Sequence, residues 1–155
     1  MDAKVDDKGR STDVGWQNQL YDLLRKHNIT QFGYVPDAGH AVLIDRSLAD
    51  PGALSVALTT EEEGVALLAG ADLGGARGVL LMQSSGTGNC VNMLSLMKGG
   101  HFPLLTLISM RGDFGEGNPW STRWARRSSR CCGRWGSSAC ASKSPRRWSR
   151  RSTRQ

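Results

Sequence analysis

The chain has 155 residues, 39% of them hydrophobic and 22% charged, which suits one ordinary domain and leaves too little for two that each bury a core. No apolar stretch approaches the roughly 20 residues of a membrane-spanning helix, and the polar, acidic start MDAKVDDKGRSTD resembles no secretory signal. The formal charge of +6 suggests a nucleic-acid binder only until it is divided by position: residues 1–120 hold all 14 acidic side chains and nine of the 20 Lys+Arg, for −5, whereas residues 121–155 hold the other eleven and no acid, for +11.

Residues 1–14 are charged and polar and are expected to form a disordered arm. Trp16, Leu20, Leu23 and Leu24 recur at helical spacing and predict an amphipathic helix from Gly15 to about Asn28. A short strand, Gln31 to Val35, is broken by Pro36 and Asp37. A second helix, Gly39 to Leu48, ends at Asp50-Pro51-Gly52. Ala53 to Leu58 reads as a second strand. Thr59 or Thr60 then caps a helix running to about Leu73, with Glu61, Glu62 and Glu63 in its first turn, where the helix dipole favours negative charge. Gly74 and Gly75 stop it.

The next unit is strand, small-residue turn, helix: Gly78 to Met82, then SSGTGN, then Cys90 to Lys98 with Val91, Leu94 and Met97 at helical spacing. PLLTLIS, residues 103–109, is another apolar run of strand length. Strands that alternate with helices and are apolar on both faces predict an α/β fold, a parallel sheet with helices on both faces. Ligands in such folds sit at the carboxyl ends of the strands. VPDAG, TTEEEG, QSSGTGN and SMRGDFGEG all follow strands and are expected to converge on one rim.

Taken singly, these motifs are weak. The turn Ser84 to Asn89 could present backbone N–H groups to a phosphate or a polar ring, but it lacks both the Lys of a P-loop and the full GxGxxG spacing, so a plain tight turn accounts for it equally well. Successive helical residues point about 100° apart, so three consecutive glutamates cannot face one ion; Glu62 and Glu63 read as surface charge. His101 reads as a loop residue, and neither His27 nor His40 is singled out. Cys131, Cys132 and Cys140 lack CxxC spacing and a nearby His, which argues against zinc. Four cysteines without a framework point to a reducing cytoplasm.

As a set, YVPDAG, TTEEEGVALLAGADLGG, VLLMQSSGTGNCVNMLSL and PLLTLISMRGDFGEGNPW resemble the pyrimidine-binding domain of thiamine-diphosphate-dependent enzymes. The branch they resemble most acts on sulfopyruvate or phosphonopyruvate, and EEEG and ISMRG favour its sulfopyruvate side, where this domain is a separate alpha subunit. The resemblance covers about residues 15–120. It implies that Glu61, nine residues before Gly70 in the pattern E-x8-G, hydrogen-bonds N1′ of the aminopyrimidine and is the catalytic residue. It also implies that Pro36 and Asp37 face the cofactor or substrate, and that Ser85, Gly86 and Asn89 lie beside the pyrimidine. Arg111, the one cation on the expected rim, could meet a sulfonate, phosphonate or carboxylate, or simply pair with Asp113 or Glu116. The family holds the diphosphate and Mg2+ through a GDG motif that this sequence lacks. The resemblance therefore implies a partner (beta) subunit carrying that motif, thiamine diphosphate shared between the two, and a small 2-keto acid as substrate, with sulfopyruvate giving sulfoacetaldehyde and carbon dioxide. Neither a membrane nor a nucleic acid is an expected partner, although an Arg-rich tail binding nucleic acid or acidic surfaces is the competing reading from another class.

After NPW the chain departs from the family. Residues 121–155 contain no Val, Ile, Leu, Met, Phe or Tyr. Shifting the reading frame by one base after the codon for Trp120 turns Trp, Cys and TCN serines into codons with T in the middle, which encode apolar residues. One permissible back-translation then reads as helix, Val-rich strand and acidic helix. The expectation is a frameshifted, disordered basic tail and a sheet truncated at its C-terminal edge.

Overall fold

A computed structural model describes residues 15–111 and the strand at 138–142. The elements follow in the order α1 (Trp16–Lys26), β1 (Ile29–Tyr34), a 3-10 turn (Ala38–His40), α2 (Ala41–Ala49), β2 (Leu54–Ala57), α3 (Glu61–Leu73), β3 (Arg77–Gln83), a second 3-10 turn (Ser84–Gly88), α4 (Leu94–Gly100), β4 (Leu105–Ser109) and β5 (Ser138–Ser142). All strand pairs are parallel, in the order β2-β1-β3-β4-β5.

Two cores, one on each side of the sheet, explain why the strands read as continuous apolar runs. On one side Val79, Leu81, Phe32 and Leu107 pack with Tyr21 and Leu24 of α1 and Leu43 and Ile44 of α2. On the other, Leu80, Met82 and Ile108 pack with Val65 and Leu68 of α3 and Leu94 and Met97 of α4. Successive residues of β3 thus serve opposite faces, as the two-residue strand period requires.

The differences from the sequence reading have local causes. In α1 the buried pair is Tyr21 and Leu24, while Leu23 is half exposed. Tyr21 faces inward because its hydroxyl finds a partner: it donates to Asp50 Oδ2 at 2.9 Å, and Arg25 Nε meets the same carboxylate at 2.8 Å. Burial and that bond push the Tyr21 phenol up to about 12. Thr60 is the N-cap of α3, as expected, but its side chain makes no capping bond; Glu63 Oε2 instead accepts from the Thr59 N–H at 2.9 Å. Helix α4 starts at Leu94 and not at Cys90, because residues 84–88 form a 3-10 turn closed by Thr87 Oγ1 donating to the Ser84 carbonyl and residues 89–93 continue as turns. His101 is the left-handed C-cap of α4, at φ 57°, which agrees with its reading as a loop residue.

The sheet does not stop at β4, and here the expectation is corrected. Ser138–Ser142 pairs in parallel with β4, from Leu105↔Ser138 to Ser109↔Ser142. Ladder hydrogen bonds join backbone to backbone, so a segment without large apolar side chains can still add an edge strand. The rest of the tail and the 1–14 arm lie outside the described residues.

Candidate functional site

The connections set where a site can lie. From β1 the chain passes through α2 to β2 on one side; from β3 it passes through α4 to β4 on the other. Neighbouring strands whose chains leave in opposite directions open a crevice at their carboxyl ends. The β1/β3 crevice is therefore flanked by the loop Val35-Pro36-Asp37 and the turn Ser84–Gly88, with the first turn of α3 beside it.

Glu61, the first residue of α3, is buried there at 9% exposure. Asn89 Nδ2 donates to Glu61 Oε2 at 2.7 Å. Gly86 lies so close that a side chain on it would fall onto the Glu61 carboxylate, so the turn needs a glycine at this position for a steric reason. Among the described residues Oε1 has no hydrogen-bond partner. The pair is asymmetric: one oxygen is fixed by an amide, and the other remains to accept a bond from a ligand.

Three of the residues singled out in the sequence thus come together: Glu61, Gly86 and Asn89. Ser85 does not join them; its hydroxyl is exposed and donates to Gln83 Oε1 at 2.6 Å. Asp37 lies on the same rim, where its Oδ2 accepts from Ser109 Oγ at 2.5 Å, and Pro36 is exposed beside it. The Arg111 N–H donates to Ser84 Oγ at 3.1 Å, which ties the end of β4 to the start of the glycine turn. Its proposed partners Asp113 and Glu116 lie outside the described residues. Among the described residues no group of three His, Cys, Asp or Glu side chains could hold a metal ion, and no helix is long and apolar enough to cross a membrane.

Sequence reasoning missed two members of this rim. His40 is 1% exposed, with Nδ1 3.7 Å from Asp37 Oδ2, and Ser109 bonds the same carboxylate. Spacing offered a trace of the first, since Asp37 and His40 are three residues apart across a turn. Ser109 gave no such trace, because its partner is 72 residues away.

One expected result tests the cluster directly. Gly86→Ala must displace the Glu61 carboxylate, whereas Asn89→Ala removes the bond to Oε2 at an exposed residue outside the core. Losing a hydrogen bond to a charged group of this kind costs about 1.5–3 kcal/mol, or roughly 10–100-fold in any binding that depends on the fixed carboxylate. Ligand affinity or turnover indistinguishable from wild type in both variants would separate Gly86 and Asn89 from the site.

The fold and the crevice define an α/β domain of doubly wound type with a buried carboxylate at its switch point. A solved structure with this fold is 2-oxoglutarate:ferredoxin oxidoreductase from Magnetococcus marinus, at TM-score 0.52 and 21% identity over 60% of this chain and 16% of that one. No protein-family model matches the chain. Its sequence relatives bear out the resemblance read from the four segments. The chain is 41% identical over 83 residues to sulfopyruvate decarboxylase subunit alpha of Methanothermobacter thermautotrophicus, covering 53% of this chain and 50% of that protein. It is 38% identical over 101 residues to the same subunit of Methanocaldococcus jannaschii, covering 64% and 60%. It is also 37% identical over 89 residues to phosphonopyruvate decarboxylase of Streptomyces viridochromogenes, covering 57% and 22%. The chain spans between half and three-fifths of the length of the alpha subunits it matches.

Proposed function

We propose that this chain is the pyrimidine-binding (alpha) subunit of a thiamine-diphosphate-dependent 2-keto acid decarboxylase whose substrate is sulfopyruvate, with sulfoacetaldehyde and carbon dioxide as products. The observation that carries this reading is the Glu61 carboxylate at the β1/β3 crevice, with one oxygen fixed by Asn89 and the other unpartnered among the described residues. The similarity to sulfopyruvate decarboxylase alpha subunits supports the substrate class.

The residues fit a bound aminopyrimidine. Glu61 supplies a carboxylate, as ring nitrogen recognition demands, and Gly86 leaves the backbone close enough to flank it. When bound, thiamine diphosphate supplies the electron sink that lets carbon dioxide leave a 2-keto acid. The chain's own residues orient and exclude: Asn89 sets the plane of the Glu61 carboxylate, Glu61 holds a proton at the ring nitrogen, and the buried Ser84, Gly86 and Thr87 keep water from the inner side. Asp37 and Arg111 lie where a substrate would enter, and Arg111 offers paired N–H donors to a sulfonate.

This chain carries no GDG sequence, so the diphosphate and its Mg2+ are assigned to a beta subunit that closes over the cofactor. The test is to combine the chain with that subunit, thiamine diphosphate and Mg2+, and to follow carbon dioxide release from sulfopyruvate, with phosphonopyruvate in parallel. The expected result is turnover of sulfopyruvate by the complex and calorimetric binding of thiamine diphosphate only when both subunits are present. Tight Mg2+-dependent binding to the isolated chain would overturn the division of labour, and faster turnover of phosphonopyruvate would reassign the substrate.

A further inference from the structure

The PDAGH segment holds a group that the proposed function leaves unused. His40 is buried at 1% exposure, and among the described residues neither Nδ1 nor Nε2 has a hydrogen-bond partner. An unmade bond at a buried polar atom is costly, so a ring with two such atoms is held by the fold against its own preference. Among the described residues the one carboxylate within 4 Å of the ring is Asp37, whose Oδ2 lies 3.7 Å from Nδ1. The same Oδ2 accepts the Ser109 hydroxyl. A side chain on Gly39 would come within 2.9 Å of both Asp37 Oδ2 and Ser109 Cβ, so the glycine between Asp37 and His40 is what lets the three groups crowd together.

We propose that His40 is the positioning residue of Asp37: its Nδ1–H, closing by less than about 1 Å, joins Ser109 in fixing the Asp37 carboxylate at the mouth of the crevice when a 2-keto acid is bound. The distance to be closed is the difference between the present separation and an ordinary N–H···O contact of about 2.9 Å, which a small side-chain rotation covers. Burial drives the His40 imidazole below its ordinary pKa, with the nearby Asp37 charge acting the other way. The ring is therefore neutral at pH 7, with one N–H to place, and the Asp37 charge favours placing it on Nδ1. With both donors in position, Asp37 presents its second oxygen at the rim in one orientation. The role in turnover rests on the decarboxylase reading, whereas the His40–Asp37 contact itself does not.

Two measurements separate these. In the full chain alone, 15N NMR of the histidine rings at neutral pH should show His40 as the Nδ1–H tautomer, and Asp37→Asn should lower its titration midpoint. The Nε2–H tautomer, or a midpoint indifferent to Asp37→Asn, overturns the contact whatever the enzyme does. In the complex with the beta subunit, His40→Asn keeps a donor near the Nδ1 position and should stay within about 3-fold of wild-type kcat, while His40→Leu should lower kcat at least about 10-fold. Leu replaces two unpaired polar atoms with apolar ones, so its melting temperature should hold or rise. Activity and stability would then move in opposite directions, which a purely structural histidine cannot produce. Equal activity of the Asn and Leu variants, or loss of activity only in step with loss of stability, overturns the positioning role. A wild-type complex that releases no carbon dioxide fails the decarboxylase reading and with it the role in turnover, while the NMR result still decides the contact.

Discussion

Glu61→Gln should reduce decarboxylation by the two-subunit complex by at least about 100-fold, within the range that positioned proton transfer contributes. The substitution nearly preserves shape. The Gln oxygen can still accept the Asn89 amide that now bonds Oε2, so the helix start and the turn at Gly86 are left in place. What changes is the other atom: an amide nitrogen donates where the Glu61 oxygen accepts, and it can neither take nor share the proton of a ring nitrogen. Because the packing is retained, the melting temperature should stay within a few degrees of wild type, and the loss should fall on kcat. Glu61→Asp makes a second arm, since one methylene fewer draws the carboxylate away from Asn89 while keeping its chemistry. Near-normal turnover in Glu61→Gln would show that the carboxylate at the crevice has another purpose.

Restoring the reading frame after the codon for Trp120 should raise the melting temperature by roughly 10 °C or more, taking about 1.5–3 kcal/mol for each aliphatic side chain buried and about 2–8 °C per kcal/mol in a domain of this size. The strand β5 marks where a shifted frame would act on the sheet. A cysteine codon begins with TG, so in the shifted frame position 140 becomes leucine, methionine or valine whatever base precedes it. Position 142 becomes apolar too if Ser142 is encoded by a TCN codon. In β5, Cys140 is in register with Leu107 and Ser142 with Ser109, and Leu107 is a core residue. The shift therefore puts an apolar residue in register with that core, on the strand period, at the place where the tail joins the sheet. It also replaces AGN arginines by residues from codons with A in the middle, such as glutamate, and so removes the +11 tail from beside a −5 body, a combination that favours salt-sensitive association. Sequencing the gene through the Trp120 codon, with melting of both forms, checks this. Hydrogen-exchange protection across Arg123 to Arg151 as strong as in β4 would instead make the tail a native folded element.

The sequence by itself determined the element order as far as β4, the two-sided sheet and the place of Glu61 at the start of α3. Each of these depends on local information: apolar period, helix caps and the breaks at Pro36, Pro51, Gly74 and Gly75. Strands buried on both faces read as unbroken apolar runs, and a helix start is marked by its own first turn. What only the tertiary structure decided is who meets whom. Asn89 reaches Glu61 across 28 residues and Ser109 reaches Asp37 across 72, because the strand order β2-β1-β3-β4 gathers the carboxyl ends of β1, β3 and β4 on one rim. The burial of Tyr21 in preference to Leu23 depended on an aspartate 29 residues away. The burial of His40 depended on a turn that folds it under the loop carrying Asp37. Periodicity reports that a side chain is buried, but a polar side chain is buried only where another part of the chain meets it, and that meeting is set by how the strands are ordered.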